Sequence, residues 1–232
     1  VLIETALIEP WLLPLDLSPS LLDQLHTLLD ADERTRAGRF HRDEDRRRFV
    51  ARRGQLRLIL SAYCDRPAAD IGYAFNEFGK PSLRDRSDVS FSTSHSGDVG
   101  LCVVSGSGIE VGCDIERHDP AFIVSDLIER ICTAGERSQI DALPDEQRHR
   151  RFLDCWTRKE AYVKSMGMGF SLAPERFDVP LNEPDDDLFV GRAGGRPLYA
   201  IPTLPGFHAA ICTGDGSGAP KSARWFEANP GS

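Results

Sequence analysis

The sequence predicts an α+β protein built as two similar halves, each a small, largely antiparallel sheet packed by one long helix. Three observations predict it. The 232 residues, 41% of them hydrophobic, can fill one large core or two small ones. The pattern of the chain runs through helix and then strands twice. The carboxylates and lysine best suited to building a site divide between the two runs, Asp114 and Glu116 in the first and Glu160 and Lys164 in the second. A site drawing on both lies in the cleft between the halves, where ligand sites are favoured. The division falls between residues 1–116 and residues 117–232.

Composition narrows the class. A net charge of −8 excludes a protein whose main partner is nucleic acid. The six cysteines are scattered, form no C-x-x-C, and fit neither a zinc site nor a small disulfide scaffold. Most fall in apolar segments, where Cys behaves as a small hydrophobe, and this points to a reducing, cytoplasmic setting. The first residues carry Glu4 and Glu9 and no basic cluster, unlike a secretory signal. No uncharged run reaches membrane-spanning length.

In order, residues 1–8 read as a strand closed by Pro10. Ser18-Pro19 starts a helix, with Ser as cap and Pro at the first helical position. Its apolar stripe is Leu21, Leu22, Leu25, Leu28 and Leu29, and residues 30–33 end it. A basic segment follows over residues 34–57, interleaved at helical spacing with Phe49, Leu56 and Leu60. It reads as a solvated helix face over a buried stripe, or as a basic face for a small polyanion or an acidic partner protein. Residues 71–75 form a short strand, and residues 76–81 (NEFGKP) a turn that holds Lys80 between Gly79 and Pro81. Residues 89–94 alternate as a half-buried strand does, and residues 99–104 are a continuous apolar strand. Ser94 and His95 lie at a strand end in no recognisable triad, which excludes a serine hydrolase.

Residues 111–116 read VGCDIE. Side chains alternate along a strand, so Asp114 and Glu116 share a face about 7 Å apart while Ile115 points to the core. Such a pair is either an exposed polar face or a hard-oxygen site suited to Mg²⁺. A helix follows over residues 121–131, and Glu136 sits at a further helix start. Residues 152–169 (FLDCWTRKEAYVKSMGMG) form one helix running into a Gly-rich turn, with Phe152, Trp156 and Val163 on one face. Glu160 and Lys164, four apart, are neighbours along one edge, as an exposed ion pair or as site residues. Strands over residues 177–179, 188–190, 198–201 and 207–212 complete the second half, and residues 214–219 with the last few residues form a flexible tail.

Three blocks then occur in order: NEFGKP with STSHSG (residues 92–97), VGCDIE, and W-x-x-K-E-x-x-x-K. Together they resemble the 4′-phosphopantetheinyl transferases of the larger, surfactin-synthetase-activating type. The resemblance implies an enzyme that transfers the 4′-phosphopantetheine arm of coenzyme A to a serine of an apo acyl or peptidyl carrier protein, releasing 3′,5′-ADP. It implies Mg²⁺, or Mn²⁺ in its place, on Asp114, Glu116 and Glu160, with Glu160 also the candidate base. Lys164 resembles the lysine on the coenzyme A phosphates, with Lys159 a further motif position. Lys80, Ser94 and His95 match coenzyme A contacts, and Arg53 an arginine at its 3′-phosphate, with Arg36 and Arg48 as helpers. Trp156 resembles a structural position, and Glu136 an acidic one. One chain would supply the whole site, so the resemblance implies a monomer. The alternatives are a non-catalytic module that binds coenzyme A or carrier proteins, and another Mg²⁺-dependent phosphotransferase. The second lacks any nucleotide motif.

Overall fold

The structure, a computed structural model, describes residues 7–119, 125–202, 205–214 and 218–229. The first half opens with β1 (Ile8–Pro14), which pairs antiparallel with a later strand over its whole length. Pro10 therefore lies inside the strand and does not close it; the expected start at residues 1–6 lies outside the described residues. Helix α1 (Pro19–Thr27) begins as expected, its Ser18 side chain accepting from the Leu21 N–H. Residues 30–33, expected to end that helix, instead start α2 (Ala31–Ala37) through a capping box between Asp30 and Glu33. The basic segment breaks after α2 and resumes in the 22-residue α3 (Asp43–Cys64). Gly54 admits α1 against α3: a Cβ there would lie 2.6 Å from the Leu25 Cβ.

Strands β2 (Tyr73–Phe75) and β3 (Pro81–Leu83) form a hairpin around the NEFGKP turn. Then β4 (Ser90–Ser96) and β5 (Val99–Ser105) form a second hairpin, and β6 (Val111–Arg117) follows. In the second half come α4 (Ser125–Ile131), α5 (Ala134–Asp141) and the 22-residue α6 (Asp145–Met166). The expected start of α4 at residues 121–124 lies outside the described residues. Gly167 caps α6 at φ 66°, a left-handed conformation that glycine adopts without strain. Strands β7 (Phe189–Ala193), β8 (Arg196–Ala200) and β9 (Phe207–Thr213) complete that sheet. Residues 177–179 are not a strand; their neighbourhood is committed to holding α6, as described below. A further strand not expected from sequence, β10 (Arg224–Trp225), runs parallel to β1.

The strand orders are β10-β1-β5-β4 and β6-β9-β8-β7, so each half has a four-stranded, largely antiparallel sheet. Strand β6 hydrogen-bonds to β9, so by pairing it belongs with the second sheet, while β10 returns to the first. Helix α3 covers one face of the first sheet through Leu56, Ile59 and Leu60 against Phe91, Cys102 and Val104. Helix α6 covers the second through Phe152 and Ala161 against Ala210 and Cys212. The opposite faces share a third core, with Val99, Leu101 and Val103 meeting Cys113, Ile115 and Ile211. This explains why β5 reads as apolar throughout: both its faces are buried. All six cysteines are buried thiols. Among the described residues no helix is long and apolar enough to cross a membrane.

Candidate active site

The two sheets meet edge to edge, β4 against β6. Serine hydroxyls make the join. Ser92 Oγ accepts from the Cys113 N–H at 3.1 Å and Ser96 Oγ from the Arg117 N–H at 3.1 Å. Ser94 donates to Asp114 at 2.7 Å and Ser96 to Glu116 at 2.8 Å. The alternation of β4 thus sets Ser92, Ser94 and Ser96 toward β6 and leaves Phe91 in the first core.

Helix α6 is brought against β6 by Gly112. A Cβ at that position would lie 2.0 Å from the Ala161 carbonyl oxygen and 2.3 Å from the Ser165 nitrogen, so only glycine permits this approach. It sets Glu160 and Lys164 beside Asp114. Lys164 Nζ donates to Asp114 Oδ1 at 2.7 Å and to Ser94 Oγ at 3.1 Å. The NEFGKP turn closes one side. Asn76 Oδ1 accepts from the Phe78 and Lys80 N–H groups, and its amide donates to the Gly167 carbonyl at 2.8 Å. Lys80 reaches Glu110 and donates to the Ser165 carbonyl at 3.2 Å.

These groups line one cleft of about 1300 Å³ with Arg52, Trp156 and Leu127. Of the residues expected from sequence, it brings together Lys80, Ser94, His95, Asp114, Glu116, Glu160 and Lys164. It does not bring in the other four. Arg53 pairs with the buried Glu33 and stacks over Tyr73 at 4.6 Å. Arg48 pairs with Asp16 at 2.8 Å and Glu44 at 2.7 Å. Arg36 lies over the Phe49 ring at 5.5 Å. Lys159 is sealed in the second core, 2.9 Å from Glu136 and donating to the Pro174 and Phe177 carbonyls. Sequence reasoning missed Arg52. Its Nε is buried without a hydrogen-bond partner, and burial with the charges of Arg53 and Arg36 pushes its pKa down to about 10.

Electrostatics concentrate on the carboxylates. Burial raises the Glu116 pKa, and Asp114 adds to it, against hydrogen bonds from Ser96 and Trp156. Burial also raises Glu160, with Asp114 adding and Lys164 opposing. Lys164 itself is pulled down by burial, but Asp114 and its neighbours outweigh this and its pKa is raised. Burial and the nearby Arg52 and Lys164 push His95 down to about 4, so it is neutral at neutral pH. Asp114 is 3% exposed, and its Oδ2 is a buried acceptor with no partner. An orphaned carboxylate oxygen, flanked by two carboxyl groups that resist ionising together, is a donor set suited to a hard cation. A different group, Cys132, Glu136 and Cys155, places its ligand atoms within 4.8 Å of one another. The ammonium of Lys159 and the N–H groups of Thr133 and Val179 already occupy Glu136, so that group is structural.

The fold and this cleft define an enzyme of the transferase class that the three motif blocks resemble. Residues 110–203 match the family model of the 4′-phosphopantetheinyl transferase superfamily, and residues 17–107 that of the 4′-phosphopantetheinyl transferase N-terminal region. The chain is 38% identical to the 4′-phosphopantetheinyl transferase HetI of Nostoc sp. over 71% of its own length and 70% of the relative's. It is 30% identical to the transferase ffp of Bacillus subtilis, covering 84% and 87% of the two chains. To Sfp of Bacillus subtilis it is 28% identical, covering 82% and 84%. The chain belongs to the 4′-phosphopantetheinyl transferase superfamily.

Proposed function

We propose that the protein transfers the 4′-phosphopantetheine arm of coenzyme A to the serine of an apo acyl or peptidyl carrier protein. The serine oxygen bonds to the pantetheine-side phosphorus, the pyrophosphate P–O bond breaks, and 3′,5′-ADP leaves. The observation that carries the reading is the joining of Asp114 and Glu116 from β6 with Glu160 and Lys164 from α6 in one cleft. Such phosphoryl chemistry needs positioning and charge neutralisation more than covalent help.

Each residue then has a task. Lys164 offsets charge on the breaking pyrophosphate. Glu160, its carboxyl held above the usual range, is suited to accept the serine proton. Ser94 fixes Asp114 and Lys164 together through its hydroxyl. Lys80, Arg52 and His95 line the same cleft, where the 3′-phosphate would supply an anion for Arg52. Asp114, Glu116 and Glu160 would hold Mg²⁺, or Mn²⁺ in its place, which when bound polarises the pyrophosphate oxygens. One chain contributes every group, so we read the enzyme as a monomer acting in the cytoplasm.

The test is intact-mass spectrometry of a panel of apo carrier proteins incubated with coenzyme A, Mg²⁺ and the protein. The expected result is a gain of one phosphopantetheine arm on at least one carrier, with the rate down by about 10³-fold or more in Asp114→Ala. No gain on fatty-acid, polyketide or peptide carriers, or full activity of Asp114→Ala or in excess chelator, overturns the reading.

A further inference from the structure

Away from the cleft, three imidazoles from three separate elements meet. His118 follows the end of β6, His149 is on α6 and His208 is on β9. The His118 ring centroid is 4.5 Å from that of His149 and 5.9 Å from that of His208. None of the three lines the transferase cleft. A cluster of histidines could be a mere stack of surface rings, but two details argue for more.

The first is His208. Its Nδ1 lies 2.7 Å from Asp154 Oδ1. A carboxylate on one ring nitrogen fixes the tautomer and leaves the other nitrogen as a lone pair, the arrangement that orients metal-binding imidazoles. The second is His118. Among the described residues its buried Nδ1 has no hydrogen-bond partner, a condition that costs free energy and that few native groups show. A bound cation would satisfy it.

The three rings lie close together, those of His149 and His208 each tilted by 31° to that of His118. Among the described residues the three donor atoms do not all lie within 4.8 Å of one another, so closure requires a side-chain rotation. No hydrogen bond among the described residues holds His149, which leaves that ring free to make it. Asp119 lies close enough to act on both His118 and His149, and it supplies a negative charge at the same place.

We propose that His118, His149 and His208, with Asp154 orienting His208, form a site for a borderline transition-metal ion such as Zn²⁺, separate from the carboxylate cleft. The donor chemistry divides the two: imidazole nitrogen prefers zinc, nickel and copper, whereas carboxylate oxygen prefers magnesium and manganese. The ion would tie the end of β6 to α6 and β9.

The test is equilibrium dialysis of the whole chain against Zn²⁺ in excess Mg²⁺, followed by metal analysis. The wild type should retain one Zn²⁺ per chain. His149→Ala, His208→Ala and Asp154→Asn should each weaken retention by about 10-fold or more, and His149 lies on the outer part of α6, where substitution spares the core. Asp114→Ala and Cys132→Ser should bind as the wild type does. No retained Zn²⁺, equal retention by the histidine variants, or loss in Asp114→Ala or Cys132→Ser would each overturn the proposal.

Discussion

The two long helices make the same use of neighbouring cations, and comparing them separates structural charge from chemical charge. In the first half, the capping-box Glu33 of α2 accepts the fully buried Arg57 at 2.6 Å, and Arg53 beside it. In the second, the capping-box Glu136 of α5 accepts the fully buried Lys159 at 2.9 Å. Each short helix thus ends a buried ion pair reaching inward from the long helix that follows. Another cation of each helix faces the cleft instead: Arg52 on α3 and Lys164 on α6. The halves differ in what faces that second cation. Lys164 pairs with a carboxylate, Asp114, whereas among the described residues no ion pair holds Arg52 and its Nε has no hydrogen-bond partner. This contrast is what the proposed roles rest on, a cation near Asp114 and an anion near Arg52.

The comparison breaks most severely at the sealed pairs. Glu33→Gln would leave Arg53 without its carboxylate and Arg57 with Asp30 alone, and breaking such a pair costs about 3–5 kcal/mol. Denaturant unfolding should show this as a lower midpoint with an unchanged slope. A change within about 0.5 kcal/mol, the range of ordinary surface substitutions, would mean that Glu33 does not hold α3.

Arg52→Ala should behave oppositely. Stability should stay near the wild-type value, or rise, because a desolvated cation is removed. The KM for coenzyme A should increase by about 10-fold, the size of one lost charge-assisted contact. Dephospho-coenzyme A, which lacks the 3′-phosphate, should show little change. Equal losses with the two donors would place Arg52 elsewhere than at that phosphate.

The smallest expected effect concerns Glu160. Its folded pKa is raised above the ordinary 4.5, so its contribution to stability is present below that value and lost as pH rises through the folded pKa. In metal-free protein Glu160→Gln should therefore melt above the wild type at neutral pH. The gap should close as pH falls toward the ordinary value. A gap that widens on acidification would reverse the assigned sign.

Much of this was legible in sequence. Asp114 and Glu116 follow from strand alternation, and Glu160 beside Lys164 from helical spacing. The Gly167 cap and the Ser18 start follow from local backbone preference. What was not legible depends on partners far along the chain. Arg52 and Arg53 are adjacent and identical in type, and only Glu33 decides which one turns inward. Lys159 sits in the same motif as Lys164, yet the carbonyls of Pro174 and Phe177 seal it. The pairing of β10 with β1 spans nearly the whole chain, which no local pattern encodes. The capping box at Asp30 and Glu33 is a different case: D-x-x-E before a helical run is a readable signal, and it marks the start of α2.

The most direct test of the division between structural and chemical cations is a pair of substitutions on α6, measured on the same preparations. Lys159→Met and Lys164→Met would each be assayed for unfolding free energy and, below its melting temperature, for phosphopantetheine transfer by intact mass. Lys159→Met is expected to lose about 3–5 kcal/mol of stability while the folded fraction keeps transfer within about 10-fold of the wild type. Lys164→Met is expected to cost less stability than Lys159→Met, because Lys164 is partly exposed and Ser94 still donates to Asp114, and to lose transfer by about 10²-fold or more. The reverse pattern, a stable but inactive Lys159→Met beside an unstable but active Lys164→Met, would contradict the account.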